Sequence, residues 1–459
     1  MKIAALLLLG ASCAALAAET PPPPGIPKDF RVPDKVESSL ANGLDLTLIE
    51  WGSVPKTTIV AILRAGNLDE GEQTWLADLT GEMLKEGAGT HSAAEIAETA
   101  ARMGGGVAVG VGPDQTTVSI DVLSEFAPQA LALIADLLRR PQLPAAELER
   151  IKRNFERNLA LSRTQPDALA NEAFFALLYP DHPYGRVYPT ESQLAAYTLE
   201  DVQRFWRENF GAARTHLYIA GQFDRVAIEA AVGESFGDWA AGPAPLARPP
   251  VPVKKAQVKL IDRPGAPQST MLLGLPVPDP SAPDFLIAAL MNSLLGGEFT
   301  SRITTNIRET KGYAYSPRST IGARYRTAYW VEQADVTTEA TGPALKEIFH
   351  EIERLKHEPP SPAELKGMQN YRAGLFTIRN SDRGALIGQL AYMNLHGLPD
   401  EYLTHYVEHV YAITPEQVSA AARTLILPED MTLVIVGDLK KIRPQLEHVP
   451  QLKGLLPGA

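Results

Sequence analysis

Cysteine is the scarcest residue in this chain: there is one, Cys13, among 459 residues. It lies inside an N-terminal leader, so the exported chain would carry no thiol. That excludes a disulfide framework and a thiolate metal site, and any zinc would need His, Asp or Glu. Long apolar runs are also missing. The stretch 3–10 is too short to cross a bilayer as a permanent helix, and no later segment reaches the required length, so no membrane span is expected. Positive charge is short as well. With 43 Lys and Arg against 54 Asp and Glu, the formal net charge is -11, which argues against a phosphate-tracking surface and against nucleic acid as a partner.

The N-terminus has the parts of a cleavable signal peptide over 1–18: Lys2, the apolar stretch, and Leu16-Ala17-Ala18 as a small-residue exit. The mature chain then begins near Glu19, in the periplasm or outside the cell. Leu9-Gly10-Ala11-Ser12 fits a lipoprotein processing site poorly, so no lipid anchor is expected at Cys13. Residues 19–34 follow as a Pro-rich spacer, stiff and extended through Pro21 to Pro24. At 45% hydrophobic composition the remainder is long enough for two cores.

The chain also repeats itself. Leu48-Ile49-Glu50 and Pro55-Lys56-Thr57-Thr58 recur as Leu260-Ile261-Asp262 and Pro267-Gln268-Ser269-Thr270, an offset of 212. Ala146-Glu147-Leu148 recurs at 363–365, the segment 198–202 at 414–418, and 218–221 at 434–437, with offsets of 216 to 217. Landmarks kept in step over this distance mark two homologous domains, 35–240 and 256–450, joined by a Pro- and Ala-rich linker at 241–255. Within each half, β-branched runs such as 57–63 and 116–122 alternate with helical patterns such as 125–139 and 147–161. Strand pairs mixed with grouped helices predict an α+β fold, two sheet-plus-helix sandwiches in tandem.

In the second half, Leu295-Gly296-Gly297, Phe299 and Ser301-Arg302-Ile303 lead into the segment 307–315, Ile-Arg-Glu-Thr-Lys-Gly-Tyr-Ala-Tyr. The residues predict a helix ending at Gly312, where a left-handed cap suits glycine, and a strand from near Tyr313. The segment resembles the C-domain signature of the insulinase/pitrilysin-like zinc peptidases, the inverted zincins. His182-Pro183-Tyr184-Gly185-Arg186 and the strand ends Gly221-Gln222 and Gly437-Asp438 extend the resemblance over nearly the whole mature chain. It implies that Arg308 and Tyr315 reach to a zinc site on another domain and hold the substrate carbonyl as its oxyanion develops, a task suited to a guanidinium and a phenol. A plainer alternative has Arg308 capping the helix end and Tyr315 filling the core.

Active members of that family carry His-x-x-Glu-His on the first helix of the N-domain: two imidazoles share zinc and Glu acts as base. Here Asp78 and Glu82 stand in the histidine positions, Gly81 in that of the base, and Glu156 near that of the third ligand. Three carboxylates could suit a hard cation, but the base is gone. These residues are therefore degenerate zinc-motif positions, with Asp78 and Glu82 expected on an exposed helix face. Gly104-Gly105-Gly106-Val107-Ala108 likewise replaces the Asn-Ala pair with which active relatives bind substrate backbone.

One further segment, His405-Tyr406-Val407-Glu408-His409, spells the inverted zinc motif letter for letter. Leu403, Tyr406, Val407 and Val410 make the apolar stripe of its helix, which turns His405, Glu408 and His409 toward solvent. The resemblance, with the lost motif beside an intact Arg/Tyr signature, implies a non-catalytic subunit that binds no cofactor itself. A homologous partner would supply zinc, and extended peptide or unfolded polypeptide would be the substrate. Two alternatives stay open: an assembly or peptide-binding subunit with no part in turnover, and a self-sufficient zinc hydrolase using His405 and His409.

Overall fold

A computed structural model describes residues 30–456. The leader, Cys13 and most of the Pro-rich spacer lie outside the described residues. No described helix is long and apolar enough to cross a membrane.

The first half builds a sheet from β1 (Lys35–Ser39), β2 (Asp45–Glu50), β3 (Lys56–Leu63), β6 (Ala108–Val111), β7 (Thr116–Leu123) and β8 (Thr215–Gly221). A small separate ribbon, β4 (Gly87–Ala88) with β5 (His91–Ser92), lies between β3 and β6 in the chain. The strand order is β1-β2-β8-β3-β7-β6. The second half uses β9 (Gln257–Asp262), β10 (Gln268–Val277), β11 (Arg318–Arg324), β12 (Thr327–Thr337) and β13 (Thr432–Gly437), in the order β11-β12-β10-β13-β9. Taken from its far edge, the second sheet repeats the first without a counterpart of β1. The fold is α+β, two mixed sheets with helices, in tandem.

The repeat holds to the residue. Ile219 of β8 lies between Leu48 of β2 and Ile59 of β3, while Ile435 of β13 lies between Leu260 of β9 and Met271 of β10. The offsets 212 and 216 carry the first trio onto the second. Residues 241–254 form no helix or strand and are tied down by Arg214, which donates to the carbonyls of Pro243 and Ala244 at 3.2 and 2.9 Å.

Central strands of each sheet are apolar on both faces, so both faces need cover. One face packs on helices of its own half: Ile59, Leu217 and Ile219 meet Leu79, Leu131 and Ile134. The other face is covered from across the molecule. Ile49, Val60, Ile62, Tyr218 and Ala220 of the first sheet pack on Ile387 and Leu390 of the helix Arg383–His396. Leu272, Val331, Val434 and Val436 of the second sheet pack on Phe174 and Leu178 of the helix Pro166–Leu178. The two helices begin 217 residues apart, so they are repeat copies of one element, exchanged between the halves. Gly274 makes one seat possible: a Cβ there would lie 2.8 Å from Phe174 Cζ and 2.4 Å from the Trp330 carbonyl. Arg383 fastens the other helix, donating at 3.0 Å to Asp121 and at 3.0 Å to Thr58 Oγ1.

The sequence reading of the signature segment needs correction. Gly312 does take a left-handed φ of 67°, but the strand starts at Arg318 rather than near Tyr313. Residues 313–317 bend instead, with the amides of Tyr313 and Ala314 both donating to Ile307 O at 2.8 and 3.3 Å and Ala314 making one isolated antiparallel bridge to Val336. The helical stretch Thr305–Thr310 before them is π-helical.

The exchange predicts that the halves melt together. Phe174→Ala should cost about 3–5 kcal/mol and Ile387→Ala about 2–5 kcal/mol, since each side chain is almost wholly buried. Thermal melts followed by far-ultraviolet dichroism and tryptophan fluorescence should show one coincident transition in the wild type and in each variant. Two separated transitions would show that the halves fold independently.

Candidate functional site

The helix Leu76–Leu84 carries the degenerate motif, and it opens on Trp75 in a left-handed conformation, φ 69°. That geometry is strained for tryptophan. It is held by ring contacts to Phe155 and Tyr188, with centroids 5.7 and 5.6 Å away, and by the indole N–H donating to Val187 O at 3.1 Å. Glu70 satisfies the helix's leading amides, accepting from Trp75 N at 3.1 Å and Ala77 N at 3.0 Å.

Asp78 is not on an exposed face as the sequence suggested. It is half-buried, because the turn before the helix folds over it and Asn67 Nδ2 donates to its carboxylate at 2.6 Å. Burial pushes Asp78 above the usual carboxylate range, with Glu82 adding to the shift; burial, with the charge of Asp78 adding to it, pushes Glu70 up to about 8. Glu82 is more open and pairs with Lys85 at 2.7 Å, while Glu156 is exposed on the helix Ala145–Ser162. The four positions are thus not gathered into a ligand set. Among the described residues, no group of three or more His, Cys, Asp or Glu could hold a metal ion.

Gly81 shows a second obstacle. A Cβ at this position would lie 2.5 Å from Val111 Cγ2 of β6. The edge strand therefore rests on the helix where a catalytic carboxylate would project. The space is filled as well as stripped of ligands.

The signature in the second half is arranged differently. Tyr315 is 78% exposed and Phe299 61% exposed, so neither fills the core. The Arg308 guanidinium sits between them, 4.1 Å from the Phe299 centroid and 5.0 Å from that of Tyr315, a double cation–π contact. It pairs with Glu309 through Nε at 3.1 Å, and no described residue takes a hydrogen bond from it. The helix end is closed by the backbone instead, Gly312 N donating to Arg308 O at 3.1 Å. The capping and core-filling alternative is thereby set aside. Phe299 was visible in the signature, but nothing in the sequence told that it forms the second face of the Arg308 sandwich. Arg302 is structural: its fork grips Glu364 at 2.8 and 3.0 Å, tying the signature to the helix Pro362–Arg379.

The third candidate stays apart from both. Leu403, Tyr406, Val407 and Val410 are buried as the stripe requires, and the helix breaks at His405 between Glu401–Thr404 and Tyr406–Ala412. His405 Nδ1 lies 3.1 Å from Glu408, which is 71% exposed, and the rings of His405 and His409 are 5.9 Å apart.

Comparison with known proteins gives two matches in chain order. Residues 53–188 match the family described as insulinase (peptidase family M16), and residues 196–371 match the peptidase M16 inactive domain. An uncharacterized zinc protease of Bacillus subtilis is 24% identical over 409 residues, covering 86% of this chain and 96% of the relative. One of Mycobacterium tuberculosis is 23% identical over 399 residues, covering 85% and 90%. The solved structure of a peptidase M16 inactive domain from Pseudomonas fluorescens is similar at 26% identity and a TM-score of 0.80, covering 88% of this chain and 98% of that one. A protease from Helicobacter pylori shares the fold at 17% identity and a TM-score of 0.82, covering 89% and 100%.

Two expectations follow from the sealed helix. Gly81→Ala should cost about 1–3 kcal/mol by overpacking against Val111, and adding Val111→Ala should recover most of it in urea denaturation. The raised carboxyls set a pH dependence. The folded state holds these protons more tightly, so their contribution is full below the ordinary carboxylate pKa and is lost as pH rises toward about 8. Asp78→Asn removes the charge beside Glu70. It should raise the melting temperature at about pH 8 more than at about pH 5.

Proposed function

The chain belongs to the insulinase-like M16 peptidase family, and from that premise we propose that it is the non-catalytic subunit of a two-chain zinc metallopeptidase acting on peptides. A homologous partner carries the zinc, its two histidines and the base. This chain presents Arg308 and Tyr315 to that site. The pair works outside the cytoplasm, where the leader over 1–18 would send it.

The observation that carries this reading is an asymmetry between the halves. The metal helix is closed by Val111 against Gly81, while Arg308 lies half-buried between two exposed aromatic rings and, among the described residues, pairs only with the neighbouring Glu309. A guanidinium costs little to hold in one orientation when rings stack on both sides. In a water-poor interface it and the Tyr315 phenol can donate to a substrate carbonyl as negative charge builds on its oxygen. Removing one such donor typically lowers kcat by about 10²–10³.

The test compares this chain alone with the same chain mixed with a homologue bearing His-x-x-Glu-His. Alone it should hold no zinc and cleave no peptide; mixed, it should turn over. Arg308→Ala and Tyr315→Phe should each lower kcat of the assembled pair about 10²–10³-fold with less effect on KM. Full activity with both replaced would leave an assembly or peptide-binding subunit. Zinc and activity in the isolated chain, lost on His405→Ala, would move the chemistry to His405 and His409.

A further inference from the structure

The repeat places a second cleft in the molecule, and it has been fitted differently. Sheet pairings carry Val111 of β6 onto Ile321 of β11. The offset of 217 between the helices Ala145–Ser162 and Pro362–Arg379 carries Phe155 onto Arg372 and Glu156 onto Ala373. In the first half this place is filled, by Val111 on Gly81 and by Phe155 on Trp75. In the second half a cavity of about 510 Å³ is open, walled by Ile321, Arg372 and the helix Phe285–Asn292. That volume lies in the usual range of small-ligand sites.

Its lining is electropositive although the chain is acidic. Arg372 and Arg379 both line it, and no Asp or Glu does. Among the described residues, Arg372 donates only to neutral oxygens, Tyr406 Oη at 3.0 Å and Ser293 Oγ at 3.3 Å, and exposed Arg379 has no hydrogen bond or ion pair. A guanidinium in a cavity without a carboxylate partner is a ready fork for one. Two further features narrow the ligand. Asn380, 2% exposed, donates through Nδ2 to Phe376 O at 2.7 Å, which leaves its Oδ1 buried with no partner, an acceptor for a ligand N–H. Phe376 and Tyr406, stacked at 4.2 Å, offer an apolar aromatic wall.

We infer that this cavity binds the carboxy-terminal end of a peptide: its carboxylate on Arg372 and Arg379, its last amide N–H toward Asn380, its last side chain on the Phe376–Tyr406 wall. The cavity shares no lining residue with the Arg308 sandwich and needs no zinc-bearing partner to exist. It can be titrated on this chain alone, so its failure and that of the two-subunit reading are separate results.

The test uses a fluorescein-labelled hexapeptide ending in leucine, as the free acid and as the C-terminal amide, with binding followed by anisotropy. The free acid should bind at least about tenfold more tightly. Arg379→Gln, at an exposed position, should narrow that gap, and Arg372→Gln should nearly abolish it, with unchanged melting confirming the fold. Equal affinity for acid and amide, or an acid preference that survives both substitutions, would overturn the assignment. So would N-acetyl-leucine binding as tightly as the hexapeptide, which would make the site one for small carboxylates.

Discussion

Everything in this molecule depends on two sheets that are apolar on both sides and share their outer cover. Neither half can finish its core alone, because the helix Pro166–Leu178 lies on the second sheet and the helix Arg383–His396 on the first. Each buried aliphatic or aromatic side chain in such a contact contributes about 1.5–3 kcal/mol, so the two exchanged faces together outweigh the net stability of an ordinary domain. Polar contacts fix their alignment at opposite ends. Arg383 reaches Asp121 at one end, and at the other Tyr184 donates to Asp114, which also accepts from Tyr325 N at 3.3 Å. An interface this apolar holds the halves as one body, so the two clefts keep a fixed relation to each other.

Much of this was legible in the sequence. The fold class followed from strand and helix patterns, and the repeat was written so plainly that its offsets reproduce the register of Leu48, Ile59 and Ile219 on Leu260, Met271 and Ile435. The resemblance singled out Arg308 and Tyr315, and the structure places Tyr315 in the open with the half-buried Arg308 guanidinium against its ring. The rest was hidden for physical reasons. A helix exchanged between halves has the same periodicity as one that stays at home, so Phe174 and Ile387 looked like ordinary core residues. Asp78 sat on a helix whose polar side appeared free, because the turn that covers it, from Asn67 to Glu70, is distant in pattern though near in space. The strand after Gly312 began late because one carbonyl, that of Ile307, draws two successive amides into a bend.

The two clefts show how one scaffold supports opposite outcomes. In the first half, small and apolar residues let strand and helix close together, and the remaining carboxyls, held by burial above their usual range, face amide donors rather than an ion. In the second half, an arginine takes the place of the phenylalanine that helps fill the first, and the opening persists. A guanidinium cannot be packed dry without a partner, so a cationic side chain tends to keep such a cavity hydrated.

The Gly81 contact also limits what either position can hold. With glycine at position 81, a Val111 methyl of β6 lies in the space that a side chain there would enter. A glutamate introduced at position 81 would drive its Cβ into that methyl group. A smaller residue at position 111 would have to accompany it. The steric fit therefore couples the two positions: strand and helix are shaped to each other here, and a larger residue on either one calls for a smaller one opposite.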